Sequence, residues 1–288
     1  MQFKKAVKSE SRLRMALVGP SGAGKTYTAL KFASAFAQKR VALIDTERGS
    51  ASKYADTFDF DVLDLENHSP IQFVKAIAAA ANTGEHDVLV IDSLSHAWMG
   101  RGGALEQVDR QASTMKGNSF GAWASVTPLH NQLIDAMIGA PLHVIATMRA
   151  KSEWLQDVDD RGKKVIRKVG TQAVQRDGME FEFDVVAEME PRNNELVVTK
   201  TRCPALAEHH EQKPDDAIPR ILLEWLAGVK TPFVRACDAI LAAQTPAELD
   251  GVVDLVADLS EAERQKARSL WASRREKLRA NEEEANNS

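Results

Sequence analysis

The stretch LRMALVGPSGAGKTYTAL, Leu13 to Leu30, decides the fold. Leu13 to Val18 is a short apolar run, broken by Arg14 and closed by Gly19-Pro20, which is the form of a buried strand running into a glycine-rich turn. A helix is expected beyond the turn. Ala29, Leu30, Ala33, Phe36 and Ala37 recur at helical spacing, and Lys39-Arg40 stand at its C-terminal end, where the helix dipole favours cations. Between strand and helix, GPSGAGKT (Gly19 to Thr26) fits the phosphate-loop pattern G-x-x-x-x-G-K-[ST] in full. In this setting the glycines let main-chain N–H groups wrap phosphates, the helix N-terminus adds its positive end, Lys25 reaches the β and γ oxygens and Thr26 ligates Mg²⁺. ATP and Mg²⁺ are the expected ligands, held by Gly19, Pro20, Ser21, Gly22, Ala23, Gly24, Lys25, Thr26 and Tyr27.

Working outward, Val41 to Ile44, Val88 to Ile91 and Leu142 to Ala146 are further short apolar runs that suit buried strands. Helices are expected between them: one opened by Ser69-Pro70 and continued by IQFVKAIAAAA, another from Gly121 to Ile138 despite Pro128. Strands alternating with helices predict a mostly parallel sheet covered on both faces. Lys151 to Gly170 is charged and turn-rich, with Asp159-Asp160-Arg161-Gly162 as a hairpin tip. Phe181, Phe183 and Val185 alternate with polar neighbours, as do Leu196 and Val198, which predicts two later strands pairing antiparallel at one edge. Beyond Thr231 three helix starts follow in a row: Thr231-Pro232, Thr245-Pro246-Ala247-Glu248 and Ser260-Glu261-Ala262-Glu263. The expected organisation is a core over residues 1–230 and a helical tail over 231–288, with NEEEANNS as a disordered end.

The 288-residue chain carries a net charge of −4 and 44% hydrophobic residues, so a surface that coats nucleic acid all over is excluded and any such contact is local. No apolar run approaches the roughly 20 residues needed to cross a bilayer, and MQFKKAVKSESRLR has no secretion-signal form, so no membrane contact and a cytoplasmic location are expected. Cys203 and Cys237 lie far apart without ligand spacing and read as packed thiols, and His209-His210 reads as solvated.

Val88 to Ile91 followed by Asp92 has the form of a strand whose terminal acid holds the Mg²⁺ water shell beside the phosphate loop. Glu47, at the end of the Val41 to Ile44 strand in IDTERGS, stands on the edge of the sheet where ligands bind, so its carboxylate is a candidate for orienting or deprotonating water. The bland reading of Glu47 is a surface acid in a turn.

Taken in order, GPSGAGKT, ALIDTERGS and DVLVIDSLS closely resemble the RecA-type recombinase core, and the resemblance covers roughly Leu13 to Leu206. It implies a RecA-like P-loop NTPase fold with ATPase activity, with Glu47 as the catalytic glutamate and Asp92 in the Walker B role. It further implies a sensor at Thr147, within Ala146-Thr147-Met148-Arg149, where the family's usual glutamine is replaced. LVVTKTR resembles the family's late strand, so Lys200 and Arg202 are implied to reach a neighbouring subunit's γ-phosphate in a head-to-tail homo-oligomer. The compact chain looks most like the core-only RecA-like ATPases of bacteriophages, some of which assist single-strand annealing.

Arg149, Lys151, Arg161, Lys163, Lys164, Arg167 and Lys168 crowd one segment and form a candidate grip on the backbone of single-stranded DNA, with Trp154 as a stacking face. The competing reading is a solvated hairpin whose lysines balance Asp157, Asp159 and Asp160. Met99 to Phe120, bracketed by Trp98 and Trp123, is a second candidate DNA loop with Arg101, Arg110 and Lys116; the two tryptophans suit core anchors better than base stackers. The expected function is an ATP-dependent DNA-binding protein of recombination or annealing. The alternative is a phosphotransferase or an ATP-driven assembly switch that never meets DNA. The tail is expected to dock a protein partner or to cap the core.

Overall fold

The fold is that of a computed structural model, which describes residues 11–158, 164–228, 232–256, 259 and 261–286. β1 (Arg14–Gly19) is buried along its whole length, as a central strand with both faces covered must be. Arg14, the break in its apolar run, is buried as well. Its guanidinium donates to the carbonyls of Ile138 and Ala140 at 2.6 Å and of Leu142 at 2.7 Å, which satisfies the carbonyls at the end of a helix.

In chain order there follow α1 (Lys25–Phe36), β2 (Arg40–Asp45), β3 (Asp61–Asp64), α2 (Pro70–Asn82), β4 (His86–Asp92), α3 (His96–Met99), α4 (Ala104–Thr114), α5 (Ser119–Gly139), β5 (His143–Val158), β6 (Lys164–Ala173), β7 (Val185–Glu190), β8 (Glu195–Thr201) and β9 (His210–Gln212). The main sheet has the order β3-β2-β4-β5-β1-β7-β8-β9. From β3 to β7 neighbours run parallel, and β8 and β9 extend the edge antiparallel. This is the α/β P-loop architecture expected from the sequence. Leu89 and Ile91 of β4 pack with Phe73 and Ile77 of α2 and Leu133 and Met137 of α5. Val88 and Val90, which point to the other face, are just as buried, with α1 lying against β4 and β5.

Two segments differ from their sequence reading. Phe181 and Phe183 do not lie on a strand: Met179–Glu182 is a single 3-10 turn, Phe183 is buried and Phe181 is 67% exposed. The strand begins at Val185, and Val185 to Ala187 are all buried because β7 lies inside the sheet against β1. Met99 to Phe120 is no open loop either. It holds α4, whose Ala104 and Val108 pack on Ala122 and Val126 of α5, with Trp98 stacked on Trp123 at 5.6 Å.

β5 outruns the main sheet. From Ala150 to Val158 it pairs antiparallel with β6, from Ala150↔Ala173 to Val158↔Lys164 with a one-residue register shift between Glu153 and Trp154, as a hairpin over this segment requires. The expected tip, with Arg161 and Lys163, lies outside the described residues, as do the side chains of Trp154, Lys164, Arg167 and Lys168.

The chain divides into two compact units between Arg220 and Ile221, inside α6 (Ala217–Leu226), whereas the sequence places its boundary near Lys230. In the second unit α7 (Pro232–Ala242), α8 (Pro246–Asp250) and α9 (Glu261–Asn286) enclose Ala236, Ile240, Leu249, Ala267 and Leu278. Thr245 caps α8, its hydroxyl accepting from Glu248 N–H at 3.2 Å, while Glu248 accepts from Gln244 N–H at 2.7 Å. α9 continues through the acidic stretch Glu282 to Glu284 that the sequence assigns to a disordered end. No helix of the described residues is long and apolar enough to cross a membrane.

Candidate nucleotide site

The loop between β1 and α1 turns on two glycines in left-handed backbone, Gly22 (φ 81°) and Gly24 (φ 84°), a conformation that glycine adopts without steric cost. A Cβ at Gly24 would stand 2.9 Å from Asn194 Nδ2, and one at Gly19 would collide with the Met189 carbonyl. The loop is therefore closed from below by the turn between β7 and β8. Pro20, Ser21, Gly22, Gly24, Lys25 and Thr26 line a cavity of roughly 430 Å³, together with Glu47, Tyr54, Asp92, Arg149 and Ala150. Gly19 and Ala23 stand behind that lining as supports. Tyr27 packs edge-on against Tyr54 of that lining and against Phe58, at 5.9 and 5.1 Å between centroids.

Asp92 is buried at the end of β4 with both oxygens engaged. Oδ2 accepts from the Thr26 hydroxyl at 2.6 Å, and Oδ1 accepts from the Thr147 hydroxyl on β5. Burial pushes the Asp92 carboxyl above its ordinary pKa, against the two hydroxyls that pull it down. Burial also draws the Lys25 ammonium below its ordinary value, opposed by Asp92 and Glu47, and its Nζ donates to the Pro20 carbonyl at 2.8 Å. A buried carboxylate beside a threonine hydroxyl is an all-oxygen donor set of the kind a hard divalent cation takes, so the residues present fit Mg²⁺.

Glu47 is carried by a loop that β2 and β4 hold jointly. Asp45 accepts from the N–H of Glu47 at 2.6 Å and of Ala51 at 2.9 Å. The Thr46 hydroxyl accepts from Ser93 N–H at 2.7 Å and meets His96 Nδ1 at 2.6 Å. Burial first, and then Arg149, hold the His96 pKa down at about 4, so the imidazole is neutral. The Glu47 carboxylate is fixed by Arg149, whose Nη2 and Nε donate to Oε1 at 2.8 and 3.2 Å. Arg149 thus faces the cavity and Glu47, whereas the sequence groups it with the hairpin cations; Lys151 is exposed at the base of that hairpin.

Beyond the Asp45 loop lies a second hollow of about 510 Å³, lined by Arg48, Asp64, Glu66, His68 and Arg101.

Lys200 and Arg202 are not brought to the cavity. Lys200 Nζ donates to the carbonyls of Glu180, Phe181 and Phe183 at 2.9, 3.1 and 2.5 Å, which uses the three protons of an ammonium to hold the 3-10 turn. Arg202 pairs with Asp184 at 3.2 Å and remains largely exposed. Asp45, Thr46, Tyr54 and Ser95 carry the site without having been singled out in the sequence. Asp45 and Thr46 stand inside the IDTERGS stretch, and that proximity was their signal.

Residues 11–213 match the family described as AAA domain. The chain belongs to that family. It is an AAA-type P-loop ATPase domain, and the matched span contains every residue of the cavity. No curated protein sequence matches the chain. Among solved structures it is similar to a prototypical ATPase from the type III secretion system of pathogenic bacteria, at 15% identity and a TM-score of 0.38, over 91% of this chain and 73% of that one.

Proposed function

We propose that this AAA domain hydrolyses ATP and couples turnover to single-stranded DNA in recombination or annealing. The observation that carries the hydrolase reading is the carboxylate of Glu47 on the rim of the cavity that Lys25, Thr26 and Asp92 line. Lys25 and the loop N–H groups bind the β and γ oxygens, and the Tyr54 ring offers a face to the base. The Thr26 hydroxyl and the Asp92 carboxylate would hold Mg²⁺, which would supply positive charge to the phosphoryl oxygens. Glu47 takes a proton from water as the water oxygen bonds to the γ phosphorus. The bond from that phosphorus to the β,γ-bridging oxygen breaks, the oxygen keeps the electron pair, and ADP and phosphate leave. Thr147, donating to Asp92, ties β5 to this site and fits a sensor.

The DNA reading is supported by the course of β5, which runs from the cavity at Arg149 into the hairpin that carries the basic cluster. The sequence of that segment is rich in Lys and Arg, the residue types that neutralise phosphates. Arg202, exposed at the sheet edge, suits a contact to a second copy in a head-to-tail assembly.

ATP hydrolysis measured with and without single-stranded DNA, at two salt concentrations, tests the reading. Stimulation that fades with salt is expected. Turnover indifferent to DNA but raised by a small-molecule phosphoryl acceptor would replace it with the phosphotransferase alternative.

A further inference from the structure

Glu47 and Arg149 are together in a way that opposes the hydrolysis described above, on which this inference rests. A carboxylate oxygen that already accepts two N–H donors from one guanidinium is occupied and cannot at the same time accept a proton from water. Arg149 is also placed to do something else. Its backbone lies level with Gly19 across the β1–β5 ladder, and its N–H is fixed by Ser95 Oγ at 2.9 Å. The guanidinium therefore has the phosphate loop on one side and Glu47 on the other, inside one cavity.

The pair is weak enough to exchange. The side chains are 46% and 32% exposed, and an ion pair that solvated holds its partners together by a factor of no more than about five. A terminal phosphoryl group carries more charge than a carboxylate and presents several oxygens to the planar guanidinium fork.

We propose that Arg149 contacts substrate and switches partner: with a nucleoside triphosphate in the cavity its guanidinium leaves Glu47 for the terminal phosphoryl group, and Glu47 is released to water. A diphosphate has no such group, so with ADP the guanidinium stays on Glu47. One residue then both discriminates triphosphate from diphosphate and keeps the base occupied until substrate arrives. A ligand shifts such an equilibrium only through its differential contact with the two arrangements, and here the terminal phosphoryl group is that difference.

Equilibrium binding of the β,γ-imido analogue of ATP and of ADP, each with Mg²⁺, tests the exchange in the full chain. Arg149→Gln should weaken the analogue by about tenfold to a hundredfold and leave ADP within about twofold. Glu47→Gln removes the competing charge and should tighten the analogue by up to about fivefold, a gain that disappears in the Glu47→Gln, Arg149→Gln double variant. Equal weakening of both nucleotides by Arg149→Gln, or strictly additive effects in the double variant, overturns the proposal. Should Arg149→Gln fail to fold by thermal melting, Arg149→Lys and Glu47→Gln give the same comparison. Because no turnover is measured, these outcomes are independent of whether Glu47→Gln still hydrolyses ATP, which bears on the hydrolase reading alone.

Discussion

Lys25 and Glu47 line one cavity from different elements, and their removal should produce different defects. Lys25→Ala is expected to abolish tight nucleotide binding, whereas Glu47→Gln keeps binding and loses turnover by at least about a hundredfold, because one side chain grips phosphate and the other handles water. Equilibrium binding beside single-turnover hydrolysis separates them, and wild-type turnover in Glu47→Gln would remove the base assignment. Lys200 and Arg202 should separate too. Lys200→Ala strips three carbonyls of their donor and is expected to lower the melting temperature by the equivalent of about 1 kcal/mol. Arg202→Ala, which loses only an exposed pair with Asp184, should leave melting nearly unchanged and reduce hydrolysis in the assembled form. Undiminished hydrolysis in an Arg202→Ala protein that still assembles would rule out a role at a subunit contact. At this scale the phosphate loop was legible because all its parts are contiguous. Arg149 was not, because a partner at Glu47, distant in sequence, decides where a guanidinium points. Within one chain Lys200 holds three carbonyls, a role that spacing does not show, since it gives which face a residue shares but not which carbonyls lie beneath that face.

The apolar runs that mark β1, β2, β4 and the start of β5 are continuous, as strands buried on both faces must be, and each is legible to within a residue or two. Where the pattern fails, packing overrides it. Phe181 and Phe183 alternate as a strand would, yet a 3-10 turn held by Lys200 puts one ring inside and one in solvent. The glycines at 100, 102 and 103 conceal the start of α4, whose buried face amounts to Ala104 and Val108. The joint between β1 and β5 carries a pH prediction. Leu13 N–H donates to His143 Nδ1 at 3.1 Å, so the ring must be neutral, and burial holds its pKa at about 4 against an ordinary 6.5. Above pH 6.5 folded and unfolded chains are alike in this proton. As pH falls from 6.5 toward 4 only the unfolded chain takes it up, so stability is lost across that window, on the order of 1–2 kcal/mol once solvent screening is allowed for. In His143→Gln the amide oxygen cannot accept a proton in this range, and the melting temperature should fall less steeply between pH 6.5 and 4 than in the wild type. Parallel pH profiles of the two proteins would discount the histidine.

On the scale of the whole chain, two regions are expected to act at a distance from the cavity. Exchanging Lys164, Arg167 and Lys168 for glutamine should weaken single-stranded DNA binding and lower the salt slope by roughly 0.7 for every phosphate no longer neutralised, with DNA-independent hydrolysis intact. An unchanged slope would shift the DNA-binding surface to the α4 segment. A chain ending near Lys230 should keep nucleotide binding, since every cavity residue belongs to the unit that closes at Arg220. It should fail to recruit a partner or to reach higher assembly; a large fall in melting temperature with unchanged size would instead make the tail a structural cap.

The length of β5 limits how force can travel through the core. It is one strand from His143 to Val158, hydrogen-bonded on both sides by β4 and β1 before it pairs with β6. Sliding it by one residue would turn Val144 and Ala146 out of one layer of the core and Ile145 into it, so the ladder forbids axial travel. Whatever the hairpin touches, a push at its far end cannot arrive at Arg149 as the stroke of a piston. It arrives as the tilt of a lever, pivoting where β5 exchanges β1 for β6 as its neighbour, at the residue whose guanidinium grips Glu47.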